Sequence, residues 1–145
     1  MVTVPFFCPD TPPLKKNPVF LYSSDNFQKP YPFRADVVVS LDDVHEQKLD
    51  AIHELESQLY EGGANGSAES TAKAPPASDV AGRKAWLHKH FWGTRDAATA
   101  EKYRDALVKW YGPEKGKGVK TAEAFEVCEY GSQPSAAELH RLFPF

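Results

Sequence analysis

Residues 17–60 read NPVFLYSSDNFQKPYPFRADVVVSLDDVHEQKLDAIHELESQLY and carry the strongest structural signal in the chain. A short apolar run, PVFLY at 18–22, is followed by a polar loop with two prolines and then by a second apolar run, VVV at 37–39. Unbroken apolar runs rich in β-branched and aromatic residues are typical of strands that are covered on both faces. We therefore predict an α/β fold, in which helices enclose a sheet.

A long helix is predicted to follow the second strand. The residues of its buried face recur three and four positions apart; they are Val44, Lys48, Ala51, Ile52, Leu55 and Leu59. The preceding SLDD at 40–43 predicts the start, because Ser40 can accept a hydrogen bond from a free backbone amide and the helix dipole favours acidic side chains. The glycine pair at 62–63 predicts the end.

The remaining residues are predicted to complete one domain, since 145 residues fit a single core. Residues 62–82 are rich in Gly, Ala, Ser and Pro and lack aromatic side chains, so they predict a flexible insert between residues 1–61 and a helical segment at 83–145. Four features are expected in that last segment: a helix or turn from Arg83, a helix capped by Thr94 and ended by Gly112, a short edge strand within 122–130, and a helical turn opened by the capping box of Ser135 and Glu138.

Composition excludes several classes of protein. A net charge of -3 offers no basic face for a phosphate backbone, so nucleic acid is not an expected partner. No run approaches the ~18 apolar residues that a membrane span needs, and the first residues lack the pattern of a signal peptide. Cys8 and Cys128 could form one bridge, but reduced thiols in a cytoplasmic protein fit two isolated cysteines better.

Two groups of residues invite a metal interpretation, because imidazole and carboxylate are the usual zinc ligands. The first group is Asp42, Asp43, His45 and Glu46. On a helix Asp43 and His45 would point about 200° apart, so the aspartates are interpreted as capping residues. His88 and His90 would share a face only on a strand, and their basic and aromatic neighbours favour a surface pair on a helix or loop. No metal ligand is therefore assigned.

The loop between the two strands offers a candidate binding site. Lys29 and Arg34 lie at strand ends, where α/β sheets commonly hold ligands. The alternative is that both are solvated loop charges. No catalytic residue is assigned, because the sequence contains no phosphate-binding loop, dinucleotide fingerprint, nucleophile elbow or HExxH motif.

Several short motifs together resemble the carboxy-terminal part of the PIG-L/LmbE family, which are zinc-dependent deacetylases of N-acetylglucosamine-type substrates. These motifs are PVFLY at 18–22, FQKP at 27–30, PFR at 32–34, DVVV at 36–39, KLDAI at 48–52, SQ at 57–58, YG at 111–112 and AEAF at 122–125. Family members tend to show K-x-x-A-[IL]-x-x-H-x-S-Q in the helix. This chain has Leu55 where the histidine usually stands but keeps the other positions, which are Lys48, Ala51, Ile52, Ser57 and Gln58.

The resemblance implies the latter part of a Rossmann-like three-layer deacetylase fold, with residues 62–82 as an insert. It further implies a zinc cofactor and an N-acetylated sugar substrate for the intact protein, with Asn26, Lys29 and Arg34 on the wall of the substrate pocket. The family's zinc site uses an amino-terminal AHPDD-type motif and a downstream histidine, neither of which has a counterpart here. The chain alone is therefore expected to bind no catalytic zinc and to be inactive, as a truncated gene product or one half of a split protein would be.

A non-catalytic role is the alternative. If the first half of the sheet is absent, apolar side chains and strand edges would be exposed and would promote association. The chain would then act as a scaffold or binding module that self-associates or pairs with an amino-terminal half.

Overall fold

A computed structural model describes residues 9–24, 31–62 and 68–145. The strands in these ranges are β1 (Val19–Ser23), β2 (Val37–Ser40) and β3 (Ala122–Gly131). The helices are α1 (His45–His53), α2 (Glu56–Leu59), α3 (Ala68–Thr71), α4 (Val80–His90), α5 (Trp92–Lys102), α6 (Arg104–Tyr111), α7 (Pro113–Gly118) and α8 (Ala136–Leu142). The chain is thus a mixed α/β protein, which confirms the predicted class, with a small antiparallel sheet and several helices.

The chain divides into two compact units. The first comprises Met1–Val39 and Ala124–Phe145, and the second comprises Ser40–Glu123. Most of the sheet and α8 belong to the first unit, whereas α1 to α7 belong to the second. The second unit therefore interrupts the first in sequence.

Strand β3 lies at the centre of the sheet, whose order is β1-β3-β2. It runs antiparallel to β1, with Leu21 opposite Val127 and Ser23 opposite Phe125. The prediction of a strand within 122–130 is therefore confirmed, but its predicted place at the edge of the sheet is wrong. The side chains that β3 buries are all small; they are Ala122, Ala124 and Cys128.

Strands were predicted at 18–22 and 37–39, and β1 and β2 confirm both positions. Their burial differs. Val37 and Val38 in β2 are fully buried, as predicted, but Phe20 in β1 is 38% exposed and no residue of β1 is buried. Continuous apolar sequence thus predicted the position of β1 correctly and its cover incorrectly. Position at the edge of the sheet does not explain the difference, because β2 is an outer strand as well.

The single long helix predicted after β2 is wrong, since α1 ends at His53 and α2 begins at Glu56. Leu55 between them leaves helical geometry, with φ -86° and ψ 58°, and its side chain is exposed. The residues that α1 buries are His45, Leu49 and His53, one turn apart. This face differs from the predicted apolar stripe, because two histidines form most of it and hydrophobic periodicity does not count them.

Helices α1 and α4 to α7 pack in succession: α1 on α4, α4 on α5, α5 on α6, and α6 on α7. One core of this unit contains the buried residues Leu59, Tyr60 and Leu87. None of the helices in the described ranges is both long and apolar enough to cross a bilayer.

The predicted insert at 62–82 contains helical residues in its described part. Helix α3 lies within it, and α4 begins at Val80, earlier than the predicted restart at Arg83. The side chain of Asp79 caps α4 by accepting a hydrogen bond of 2.8 Å from the backbone nitrogen of Gly82. Arg83 Nε also donates to the carbonyl oxygen of Pro75 at 3.0 Å, which fixes the residues before the helix.

Local capping signals gave mixed results. The capping box is confirmed, because Ser135 Oγ accepts from Glu138 N and Glu138 Oε2 accepts from Ser135 N. Gly112 ends α6 with φ +82°, also as predicted. Thr94 is not a cap: it lies inside α5, and its hydroxyl donates to the carbonyl oxygen of Phe91.

Candidate functional site

A partly buried network of ionisable side chains surrounds the start of α1 in the second unit. Lys48 Nζ donates to Asp96 Oδ2 at 2.9 Å and to Glu123 Oε1 at 2.7 Å. His45 Nε2 lies 3.3 Å from the same oxygen of Asp96. We call these four residues, His45, Lys48, Asp96 and Glu123, the Lys48 network.

Helix geometry explains why α1 contributes two members. His45 and Lys48 are three residues apart and therefore share one face of the helix. Asp96 comes from α5 and is 2% exposed, so its charge must be compensated inside the protein. Lys48 supplies that compensation and extends to the more exposed Glu123 at the start of β3.

A second group overlaps this network. His45, Glu46 and His88 each offer a metal-ligating atom, and these atoms all lie within 4.8 Å of one another. The rings of His45 and His88 meet edge to face with centroids 5.8 Å apart. His45 is buried, whereas Glu46 and His88 are exposed. The packing of α1 on α4 creates this group.

Two features distinguish the surroundings of these histidines. His45 Nε2 is buried and makes no hydrogen bond within the described ranges, although Asp96 lies at ion-pair distance. Gly93 in α5 packs directly on His88: an added Cβ would collide with the His88 carbonyl and lie 2.9 Å from its ring. The absence of a side chain at Gly93 therefore lets α5 approach His88.

No model of a known protein family, no curated protein and no solved structure matches this chain. The resemblance to the PIG-L/LmbE family stays a prediction from the motifs. The AHPDD-type zinc motif of that family is absent, and no residue here takes its place. His45, Glu46 and His88 are nevertheless of the residue types that suit zinc.

Segments that carry the resemblance meet in the second unit. Lys48 of the KLDAI motif pairs with Glu123 of the AEAF motif, 75 residues away. Tyr111 of the YG motif accepts a hydrogen bond of 3.0 Å from the backbone nitrogen of Ser40, which directly follows the DVVV motif. The contact of Lys48 with Glu123 therefore joins two motifs that are distant in sequence, whereas Ser40 lies just outside its motif.

Of the three predicted binding residues, Arg34 lies within the described ranges, whereas Asn26 and Lys29 lie outside them. Arg34 holds Asp36 through two parallel bonds, Nε to Oδ1 at 2.5 Å and Nη2 to Oδ2 at 2.9 Å. The hydrogen bond and charge of Asp36 raise the pKa of the Arg34 guanidinium. The Arg34 side chain is 68% exposed, so an anionic or hydroxylated ligand can reach it but must share it with Asp36.

Burial explains the properties of another pair in this unit. His53 Nδ1 and the Tyr60 hydroxyl are joined by a hydrogen bond of 2.8 Å. Burial raises the pKa of Tyr60 to about 12, against the opposing effect of the Arg83 charge, so the phenol stays protonated at neutral pH. Tyr60 therefore stabilises the core as a neutral phenol and does not act as a phenolate base. Cys128 is likewise buried and has no disulfide within the described residues, and Cys8 lies outside them.

The interpretation of Ser40 and Asp42 as helix caps is wrong. Val44 is the N-cap of α1, and no side chain caps it. Asp42 instead accepts from the backbone nitrogens of Lys120 and Thr121, at 3.0 and 2.8 Å, and from the Thr121 hydroxyl at 2.8 Å. These partners follow α7 and are invisible to a local capping pattern. Burial acts to raise the pKa of Asp42, but these hydrogen bonds outweigh it and hold the pKa below its ordinary value.

Asp42→Ala is expected to lower the free energy of unfolding at neutral pH by about 1 kcal/mol, because the lost hydrogen bonds are charge-assisted but exposed. Since the folded-state pKa is lowered, this stability is present above the unfolded-state pKa of about 3.9 and is lost as the pH falls through the folded-state value. Urea unfolding of both proteins across that range should show the difference shrinking in acid.

Asp43→Ala provides the matched control, since Asp43 is the exposed neighbour and accepts no hydrogen bond from the part of the chain that is described. Its stability should follow that of the wild type at every pH. A difference between Asp42→Ala and the wild type that stays constant in acid would contradict the assigned role of the carboxylate.

Proposed function

We propose that this chain is the carboxy-terminal part of a zinc-dependent N-deacetylase that acts on N-acetylglucosamine-type substrates. It would contribute the latter part of a Rossmann-like three-layer fold in a cytoplasmic enzyme. The observation that supports this most is the contact of Lys48 with Glu123 at 2.7 Å. Both residues belong to motifs that carry the resemblance, and a chance similarity of separate short segments would not require their side chains to meet.

The residues of this chain have supporting roles in the proposal. The zinc and the aspartate base of the family belong to a motif that this chain lacks, so no catalytic step is assigned to its residues. The Lys48 network holds α1, α5 and the start of β3 together. Hydrogen bonds to the oxygens of an N-acetylated sugar would come from Asn26, Lys29 and Arg34. Arg34, the one of the three within the described ranges, has an exposed side chain.

Acetate release tests the proposal in two arms. The purified chain, incubated with N-acetylglucosamine and zinc, is expected to release no acetate above the buffer rate. The same residues joined to an upstream coding segment with an in-frame AHPDD motif are expected to release acetate, and replacing the histidine of that motif should abolish the release. Zinc-dependent release by the chain alone would overturn the proposal, as would an upstream sequence without the motif.

A binding module is the second candidate, and the exposed apolar side chains of the first unit favour it. Tyr31 and Tyr130 are 76% and 70% exposed, and Leu14 and Leu142 are 55% and 59% exposed. Contiguous exposed apolar patches often mark surfaces that bind another protein, and in this alternative the four side chains would contribute to one. Light scattering after size exclusion would show whether the chain assembles with itself or with an amino-terminal half. An assembly that releases no acetate would favour the binding module over the deacetylase.

A further inference from the structure

We propose that His45, Glu46 and His88 form a binding site for one divalent transition-metal ion, with zinc as the best match. Imidazole nitrogens and a carboxylate oxygen are preferred ligands of zinc. This inference is independent of the proposed deacetylase function, because the family's zinc motif involves none of these residues. It revises the expectation from sequence that no residue of this chain ligates a metal.

Distances support a site that needs little rearrangement. Zinc lies about 2.0 to 2.2 Å from such ligands, so two ligand atoms on one ion are separated by about 3.4 Å in tetrahedral geometry. The three candidate atoms already lie within 4.8 Å of one another. Glu46 and His88 are exposed, so rotation of their side chains can close the remaining distance while the buried His45 stays fixed.

The buried histidine provides independent support. His45 is 7% exposed, and its Nε2 makes no hydrogen bond within the described ranges. A buried polar atom without a hydrogen bond is costly, and a bound ion or an ordered water is a common explanation. Glu46, one residue along α1, forms no ion pair with any described residue, so its carboxylate is available as a ligand.

The local charge also favours a cation. Asp96, Glu123 and Glu46 bring three carboxylates to the start of α1, and Lys48 is the ammonium group that pairs with two of them. A bound divalent ion would compensate the remaining negative charge. Asp96 Oδ2 lies 3.3 Å from His45 Nε2, so its negative charge would also act on an ion bound at that nitrogen.

An ion at this site would connect two helices. His45 and Glu46 belong to α1, whereas His88 belongs to the last turn of α4. Three protein ligands leave one position of a tetrahedral zinc ion for water. Because the ion would bind the folded chain and not the unfolded one, zinc should raise the thermal stability of the protein, and the rise should grow with the logarithm of the free zinc concentration above the Kd.

Zinc titration of the complete chain tests the site after removal of metal with a chelator. Calorimetry should show one zinc ion per chain, and cobalt should give a spectrum of nitrogen and oxygen ligands without a thiolate charge-transfer band. Glu46→Gln and His88→Ala should each weaken zinc binding at least about tenfold and reduce the zinc-dependent rise in Tm at a given zinc concentration. Both replace exposed side chains, so folding should be retained.

His90→Ala is the matched control. His90 is an exposed histidine two residues further along the same helix, outside the ligand group, and its removal should leave zinc affinity unchanged. The proposal is overturned if the wild-type chain takes up no zinc at concentrations well above its own. It is equally overturned if Glu46→Gln and His88→Ala bind zinc as tightly as the wild type, or if His90→Ala loses as much affinity as they do.

Discussion

Replacing Asp96 with alanine is expected to lower the free energy of unfolding by about 3 to 5 kcal/mol, which is typical when one partner of a buried ion pair is removed. The substitution leaves Lys48, whose side chain is 17% exposed, without its buried carboxylate. The second partner of Lys48, Glu123, is too exposed to compensate fully. Urea unfolding followed by tryptophan fluorescence measures the loss.

Glu123→Gln is the matched control for this prediction. It removes the other carboxylate that Lys48 contacts, but that carboxylate is 41% exposed, so a loss below about 1 kcal/mol is expected. Asp96→Leu combined with Lys48→Met removes both buried charges and should recover much of the stability. Equal losses for Asp96→Ala and Glu123→Gln would show that burial of the Asp96 charge is not the cause.

Much of the secondary structure could be predicted from short-range patterns. Val37 and Val38 lie in a buried strand because β-branched apolar runs favour that environment, and the structure confirms both. The Ser135 capping box and the helix end at Gly112 are also correct. Each of these features is decided by residues within a few positions of one another, which a sequence displays directly.

Errors arose where a distant partner competes with a local signal. Ser40 and Asp42 have the sequence of a helix cap, but the carboxylate of Asp42 binds the backbone of Lys120 and Thr121. The predicted long helix breaks near Leu55 although its apolar spacing continues. Local propensity is a weak prior, and contacts formed elsewhere in the fold override it.

The candidate metal site could not have been found from spacing. His45 and Glu46 lie 43 and 42 positions before His88, and only the packing of α1 on α4 brings the three together. Spacing on one helix correctly gave no reason to group His45 with Asp43. The sequence offered only a weaker signal for this site, which is that His45 lies on the buried face of α1. Using that signal requires knowing which face of α1 is buried.

Gly116→Ala is expected to lower the free energy of unfolding by about 1 to 3 kcal/mol, because it forces extra volume into a packed contact. Gly116 is buried in α7, where an added Cβ would lie 2.6 Å from both the carbonyl oxygen of Leu107 and the Cα of Val108. These are backbone atoms of α6, so no side-chain rotation relieves the collision. Thermal and urea unfolding would measure the loss.

Gly118→Ala tests whether this effect comes from packing or from loss of a flexible residue. Gly118 is the last residue of the same helix and does not need a positive φ. Apart from its own helix and its chain neighbours, no described residue has an atom within 4 Å of the added Cβ. Alanine there should be neutral or stabilise by up to about 1 kcal/mol, since it restricts the unfolded chain.

Arg104 adds a second reason for a loss in Gly116→Ala, because its guanidinium donates to the carbonyls of Gly116 and Val119, at 3.0 and 2.6 Å. A shift of α7 away from α6 would stretch both bonds, so equal stabilities for the two variants would mean that α6 and α7 do not pack as closely as described.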